Sequence, residues 1–110
     1  MRITLMLVAA MALSYGVCSA VEGPALELGK TLFEATTLGQ NGKSCASCHP
    51  DGKGLEEISA YDDAMLKEMI NFCIRDALKG TMLSPQSQEL EAMQRYLRSL
   101  GNPESRKAPE

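Results

Sequence analysis

Tryptophan is missing from this chain, and other aromatics are scarce: two Phe and three Tyr in 110 residues. So few large side chains give a thin core, and a chain of 11.9 kDa built that way needs a cross-link, a metal or a cofactor. Positive charge is also short. Eleven Lys and Arg face fourteen Asp and Glu, for a formal net charge of -3. That balance excludes a duplex nucleic-acid binder, which requires clustered positive charge. No stretch alternates polar and apolar residues in the manner of a half-buried strand, so β structure is not expected. Disorder is not expected either, because 45% hydrophobic and 23% charged residues is an ordinary globular balance. What remains conspicuous is one His and four Cys.

The only long apolar run is N-terminal. Ile3 to Val17 carries no charge, follows Arg2 and ends at Cys18-Ser19-Ala20. A membrane helix needs ~20 apolar residues, so residues 1–20 read as a secretory signal peptide cut after Ala20. A retained anchor is one alternative. Lipidation of Cys18 is another, although Val17 is a poor fit to the small residue that such processing prefers. Removal of residues 1–20 takes away Arg2 and Cys18, which shifts the charge to -4 and leaves Cys45, Cys48 and Cys73. The mature chain then lies in the periplasm or outside the cell, with no membrane span. Three cysteines are an awkward number for disulfides in an oxidising compartment.

Residues 21–101 read as one domain without repeats, and 102–110, with two Pro and mixed charge, as a flexible tail. A first helix is expected over Pro24–Thr36, with Pro24 in its first turn and Leu26, Leu28, Gly29, Leu32 and Phe33 on its apolar side. Gly39 to Gly54 is glycine-rich and polar, hence loop around a short cysteine-bearing turn. Asp62–Leu78 is the next helix: acidic residues open it, Arg75 and Lys79 end it, and Gly80 closes it. Met65, Met69 and Cys73 lie four apart and share one of its faces. Ser84-Pro85 is the expected N-cap and first turn of a last helix. Its apolar stripe is Leu90, Met93, Leu97 and Leu100, and it ends at Gly101. The class is all-α.

Cys45-Ala46-Ser47-Cys48-His49 is the C-x-x-C-H pattern of covalent haem attachment. Two thiols three positions apart on one helical turn can add to the two vinyl groups of one haem, and the adjacent His falls under the iron. A leader sequence fits, because this attachment is made outside the cytoplasm. A covalently tied apolar cofactor also supplies the core that the composition lacks. Two other chemistries use the same residues. Cys45, Cys48, His49 and Cys73 could form a Cys₃His zinc site, and C-x-x-C could be a thiol-redox pair, although that motif expects a strand–helix context. His49 is the only His, so it must be the proximal ligand of a haem. The opposite position falls to Met, Cys or a weaker group, or stays open.

With these residues in hand the chain resembles a small monohaem c-type cytochrome of class I. The likeness rests on Gly29-Lys30-Thr31-Leu32-Phe33, the C-x-x-C-H motif, and Leu90 to Leu100 with Tyr96-Leu97. It implies a small cytochrome c fold, three to four helices around one haem c. Its first and last helices pack through Gly29 and Phe33 against Tyr96 and Leu97. A narrower likeness covers Ile70-Asn71-Phe72-Cys73, Ala77-Leu78-Lys79-Gly80, Leu83, Ser87, Glu89, Ala92-Met93 and Tyr96-Leu97. This run is similar to the haem domains of thiosulfate dehydrogenases and of thiosulfate-oxidising cytochromes. There the corresponding Cys binds iron as a thiolate, which implies Cys73 as distal ligand. Those enzymes use a second haem or a partner subunit, and one attachment motif here does not imply their activity. The alternative distal ligand is Met82, placed after Gly80-Thr81 and followed by Leu83 rather than the Pro common in class I.

A single-electron carrier is therefore expected, monomeric and not itself an enzyme. Haem would be held by Cys45 and Cys48, with His49 and Cys73 on the iron. A subunit of a sulfur-compound-oxidising haem enzyme and a haem-based sensor are the competing functions. Asp51, Lys53, Glu56 and Glu57 read as a solvated rim and Pro50 as a stiffener of the turn below His49, while Met65, Met69 and Met93 are expected in the core. The acidic balance suits transient redox partners with a basic patch.

Overall fold

The computed structural model of the chain describes residues 22–101, and the expected signal peptide (1–20) and tail (102–110) lie outside the described residues. Four α-helices carry the fold: α1 Glu22–Glu34, α2 Cys45–Cys48, α3 Asp63–Phe72 and α4 Gln88–Gly101. Two 3₁₀ turns, Pro50–Gly52 and Glu56–Ala60, and a π-helical turn, Cys73–Ala77, complete the regular structure. The class is all-α, with no strand among the described residues. No helix among them is long and apolar enough to cross a membrane.

The most extensive helix contact joins the two ends of the described chain, α1 against α4. Gly29 permits it. A Cβ at that position would overlap the Ala92 carbonyl oxygen and stand 2.6 Å from Tyr96 Cβ. One turn later the Phe33 ring meets Tyr96 edge to face, with centroids 5.4 Å apart at 62°. Leu97 joins the same core cluster, so the expected pairing of these helices holds. Leu26 and Leu28 depart from the expected apolar side, each more than a third exposed. The buried stripe of α1 follows Gly29 and Phe33, and Leu26 and Leu28 flank it.

Asp62 caps α3, its carboxylate accepting from the Met65 amide at 2.8 Å. The stripe that this segment buries is Leu66, Ile70, Ile74 and Leu78, all 5% exposed or less. Met65 and Met69 lie one residue round from it and are 47% and 39% exposed. They are therefore surface residues rather than core, and only Met93, at 1%, is buried as expected. The helix beginning at Asp62 also loses α geometry before Leu78, because it widens into the π turn at Cys73. Lys79 takes the left-handed closing conformation (φ 59) that was expected of Gly80. Gly80 is needed instead for close approach, since a Cβ there would overlap the Leu38 carbonyl oxygen.

The N-cap of α4 is Ser87, not Ser84. Ser87 Oγ accepts from the Leu90 amide at 3.2 Å, and Ser84-Pro85 forms a separate turn closed by Ser87 N–H to Ser84 O at 2.9 Å. Two polar side chains fasten the remaining loops. Arg98 on α4 donates to the carbonyls of Ile58 (3.1 Å) and Tyr61 (2.7 Å) and to the Asp63 carboxylate (2.8 Å). Buried Asn71 on α3 donates to Leu83 O at 2.9 Å and accepts from Leu83 N at 2.8 Å.

Candidate functional site

A four-residue helix has little cooperative stability of its own, so α2 depends on its cap. Ser44 Oγ accepts from the Ser47 amide at 3.1 Å, and Ser47 Oγ accepts from the Ser44 amide at 2.9 Å. This reciprocal box satisfies two amide donors and fixes the turn that places Cys45 and Cys48 one α-turn apart. The middle of the C-x-x-C-H motif is thus not filler. Ser47 is a structural partner that motif reading alone passed over, and S-x-x-S around the first Cys was its signal.

His49 follows as the C-cap, its amide donating to Cys45 O at 2.9 Å. The chain then wraps round the imidazole through three left-handed residues, Asp51 (φ 53), Gly52 (φ 76) and Gly54 (φ 89). Asp tolerates this region better than most residues and Gly takes it freely. Gly54 has a second reason to be glycine, because a Cβ there would come within 3.3 Å of His49 Nδ1. The wrap brings Lys53 O to 2.9 Å from Nδ1. A carbonyl oxygen only accepts, so Nδ1 carries a proton, and in the neutral ring the lone pair then falls on Nε2. A backbone partner of this kind is what orients a metal-binding imidazole.

Cys73 stands at the wall of an apolar groove of about 340 Å³, lined also by Gly54, Leu55, Ile58, Leu66, Met69 and Ile70. The groove therefore brings together the glycine packed against His49 and the first residue of the π turn. Met82 lies elsewhere. It borders a second groove of about 650 Å³ on the other flank of α3, with Ala64, Lys67, Asn71 and Phe72. Of these two grooves, Cys73 lines only the first and Met82 only the second.

Cys45, Cys48 and Cys73 are all free thiols. Burial pushes the Cys45 thiol up to about 11, with the nearby Cys73 and Cys48 thiols adding to the rise. Burial also raises Cys73, followed by the charges of Asp76 and Cys48. These mutual effects put Cys73 in the electrostatic neighbourhood of both motif cysteines. A thiol-redox pair needs a lowered pKa, and the direction here is the reverse for Cys45. Nor do the four proposed zinc donors gather, because no three His, Cys, Asp or Glu side chains among the described residues are grouped to hold a metal ion. Asp51, Lys53, Glu56 and Glu57 are exposed around the motif, with Glu56 accepting from the Gly54 amide at 3.1 Å. No family model, curated protein or solved structure matches the chain.

Proposed function

We propose that this protein is an exported monohaem c-type cytochrome that carries single electrons between redox partners. The observation that carries the reading is the Nδ1–H···O=C bond from His49 to Lys53. It turns Nε2, rather than Nδ1, of the only imidazole of the chain towards ligation, beside two free thiols on one capped turn. That donor set fits haem c. Cys45 and Cys48 would hold it through two thioether bonds, formed by net addition of each S–H across one vinyl group, and His49 would supply a nitrogen ligand to its iron. The group supplies, when bound, an iron that alternates between ferric and ferrous states. Leu55, Ile58, Leu66 and Ile70 line the groove and would give the cofactor an apolar wall that excludes water and lowers the local dielectric.

Cys73 would be the distal ligand in this reading, because it shares a groove with Gly54, the residue packed closely against His49, whereas Met82 lines the groove on the other flank of α3. An anionic thiolate stabilises ferric iron, whereas a thioether favours ferrous iron; axial ligands span about 0.8 V of haem potential. A low-potential carrier follows. The test is the ferric absorption spectrum and reduction potential of the exported holoprotein beside Cys73→Ala and Met82→Ala. Covalent haem on a denaturing gel is expected, together with altered ligand-field bands and a raised potential in Cys73→Ala alone. A change confined to Met82→Ala, with a lowered potential, would make the protein a His/Met shuttle. Absence of covalent haem would sink the cytochrome reading altogether.

A further inference from the structure

We infer that Asn41 is a positioning residue for Cys73: it holds the π-helical turn that starts at this cysteine, and so sets where the thiol stands at the groove wall. The inference rests on the haem reading above and deepens it.

The helix carrying Cys73 widens at that residue. In an α-helix Cys73 O would accept from the amide four residues on; here it accepts from Leu78, five on, at 3.1 Å. Gly80 N–H reaches back to Ile74 O at 2.8 Å to close the turn. Carbonyls at the end of a helix need partners from outside it, and the Gly39–Asn41 segment supplies two. Asn41 Nδ2 donates to Ala77 O at 2.8 Å, and Gln40 N–H donates to Leu78 O at 3.0 Å.

Asn41 is itself aimed by its own loop, since its Oδ1 accepts from the Lys43 amide at 3.2 Å. Lys43 directly precedes Ser44, the cap of the turn bearing Cys45 and Cys48. One amide side chain therefore ties the turn that starts at Cys73 to the segment that leads into the two attachment cysteines. The backbones meet closely enough for this only through glycine. A Cβ at Gly39 would overlap the Leu78 carbonyl, as one at Gly80 would overlap that of Leu38. Asn41 is exposed, so its role is to hold geometry rather than to bury surface.

The test uses the holoprotein with Asn41→Ala and Asn41→Asp. Ionised Asp keeps an acceptor for the Lys43 amide but cannot donate to Ala77 O, so the two variants share one loss. Both are expected to show shifted ferric ligand-field bands and displacement of Cys73 by imidazole at roughly tenfold lower concentration, a difference of about 1.4 kcal/mol. The Leu78 and Gly80 amides are expected to exchange faster while far-ultraviolet circular dichroism stays the same. Bands and imidazole titrations identical to wild type in both variants would overturn the inference, even with a lowered melting temperature. If wild type lacks covalent haem, or Cys73→Ala leaves its bands unchanged, the haem reading itself falls and takes this inference with it. That outcome is distinct from unchanged Asn41 variants of a protein that does show Cys73 ligation.

Discussion

A methyl group added at Gly29 meets the Ala92 carbonyl oxygen and Tyr96 Cβ, both parts of a packed helix rather than the ends of flexible side chains. Gly29→Ala must therefore push α1 away from α4, at a cost of about 1–3 kcal/mol. The measurement is a urea titration, with a lowered midpoint at unchanged slope expected. Cys45 gives a pH dependence in the haem-free chain. Its folded pKa of about 11 lies above the ordinary 9.0, so the fold favours the neutral thiol. That contribution is intact below about pH 9 and disappears as pH rises towards about 11. Cys45→Ala is expected to flatten the alkaline fall in urea midpoint, and an equally steep fall in the variant would contradict the assignment. At this scale the sequence was legible wherever a motif names its own chemistry: Cys45, Cys48 and His49 stand on and beside one turn. It was silent on the contact of Lys53 with His49, because that contact is made by a carbonyl that any amino acid would supply. Ser47 was legible in principle as half of a reciprocal cap.

Among the elements, α4 acts as a post to which other segments are tied. Arg98 gathers two carbonyls and a carboxylate, a fork that Lys cannot reproduce. Arg98→Lys is expected to cost about 1–3 kcal/mol. The loss should appear first as faster amide exchange across Glu56–Ala60, one wall of the Cys73 groove, with α1 and α4 still protected. Asn71 does the same for the stretch after Gly80, and Asn71→Ala leaves the Leu83 amide and carbonyl without their side-chain partner. Limited proteolysis is expected to open residues 81–87 in that variant before any other segment. The helices themselves were readable from apolar spacing and turn residues. The π turn was not, because Cys73–Ala77 has ordinary helical composition and its widening is set by contacts with Leu38–Asn41, far away in sequence. Ser87 displaced Ser84 as cap because Pro85 completes a turn of its own before the helix begins. The misplaced methionines share one cause. Spacing shows that Met65, Met69 and Cys73 line up, but a neighbouring line of Leu66, Ile70 and Ile74 is more apolar and takes the interior.

For the molecule as a whole, charge decides how it meets other proteins. The chain is acidic by three charges, so it is attracted to cationic reagents and partners at low salt. In the proposed cytochrome, electron exchange with a small cationic complex is expected to outpace exchange with an anionic complex of similar potential, and the two rates should converge as salt is raised. Equal rates at low salt would mean that the exchanging surface is not acidic. The pairing of α1 with α4 has a consequence for the order of events during synthesis. A chain synthesised from its N terminus presents Glu22–Glu34 first and Gln88–Gly101 last. The largest contact of the fold cannot form until nearly everything has emerged. Until then neither thiol is held in the finished fold, so in the proposed cytochrome Cys45 and Cys48 would be open to haem before folding half-buries the first of them.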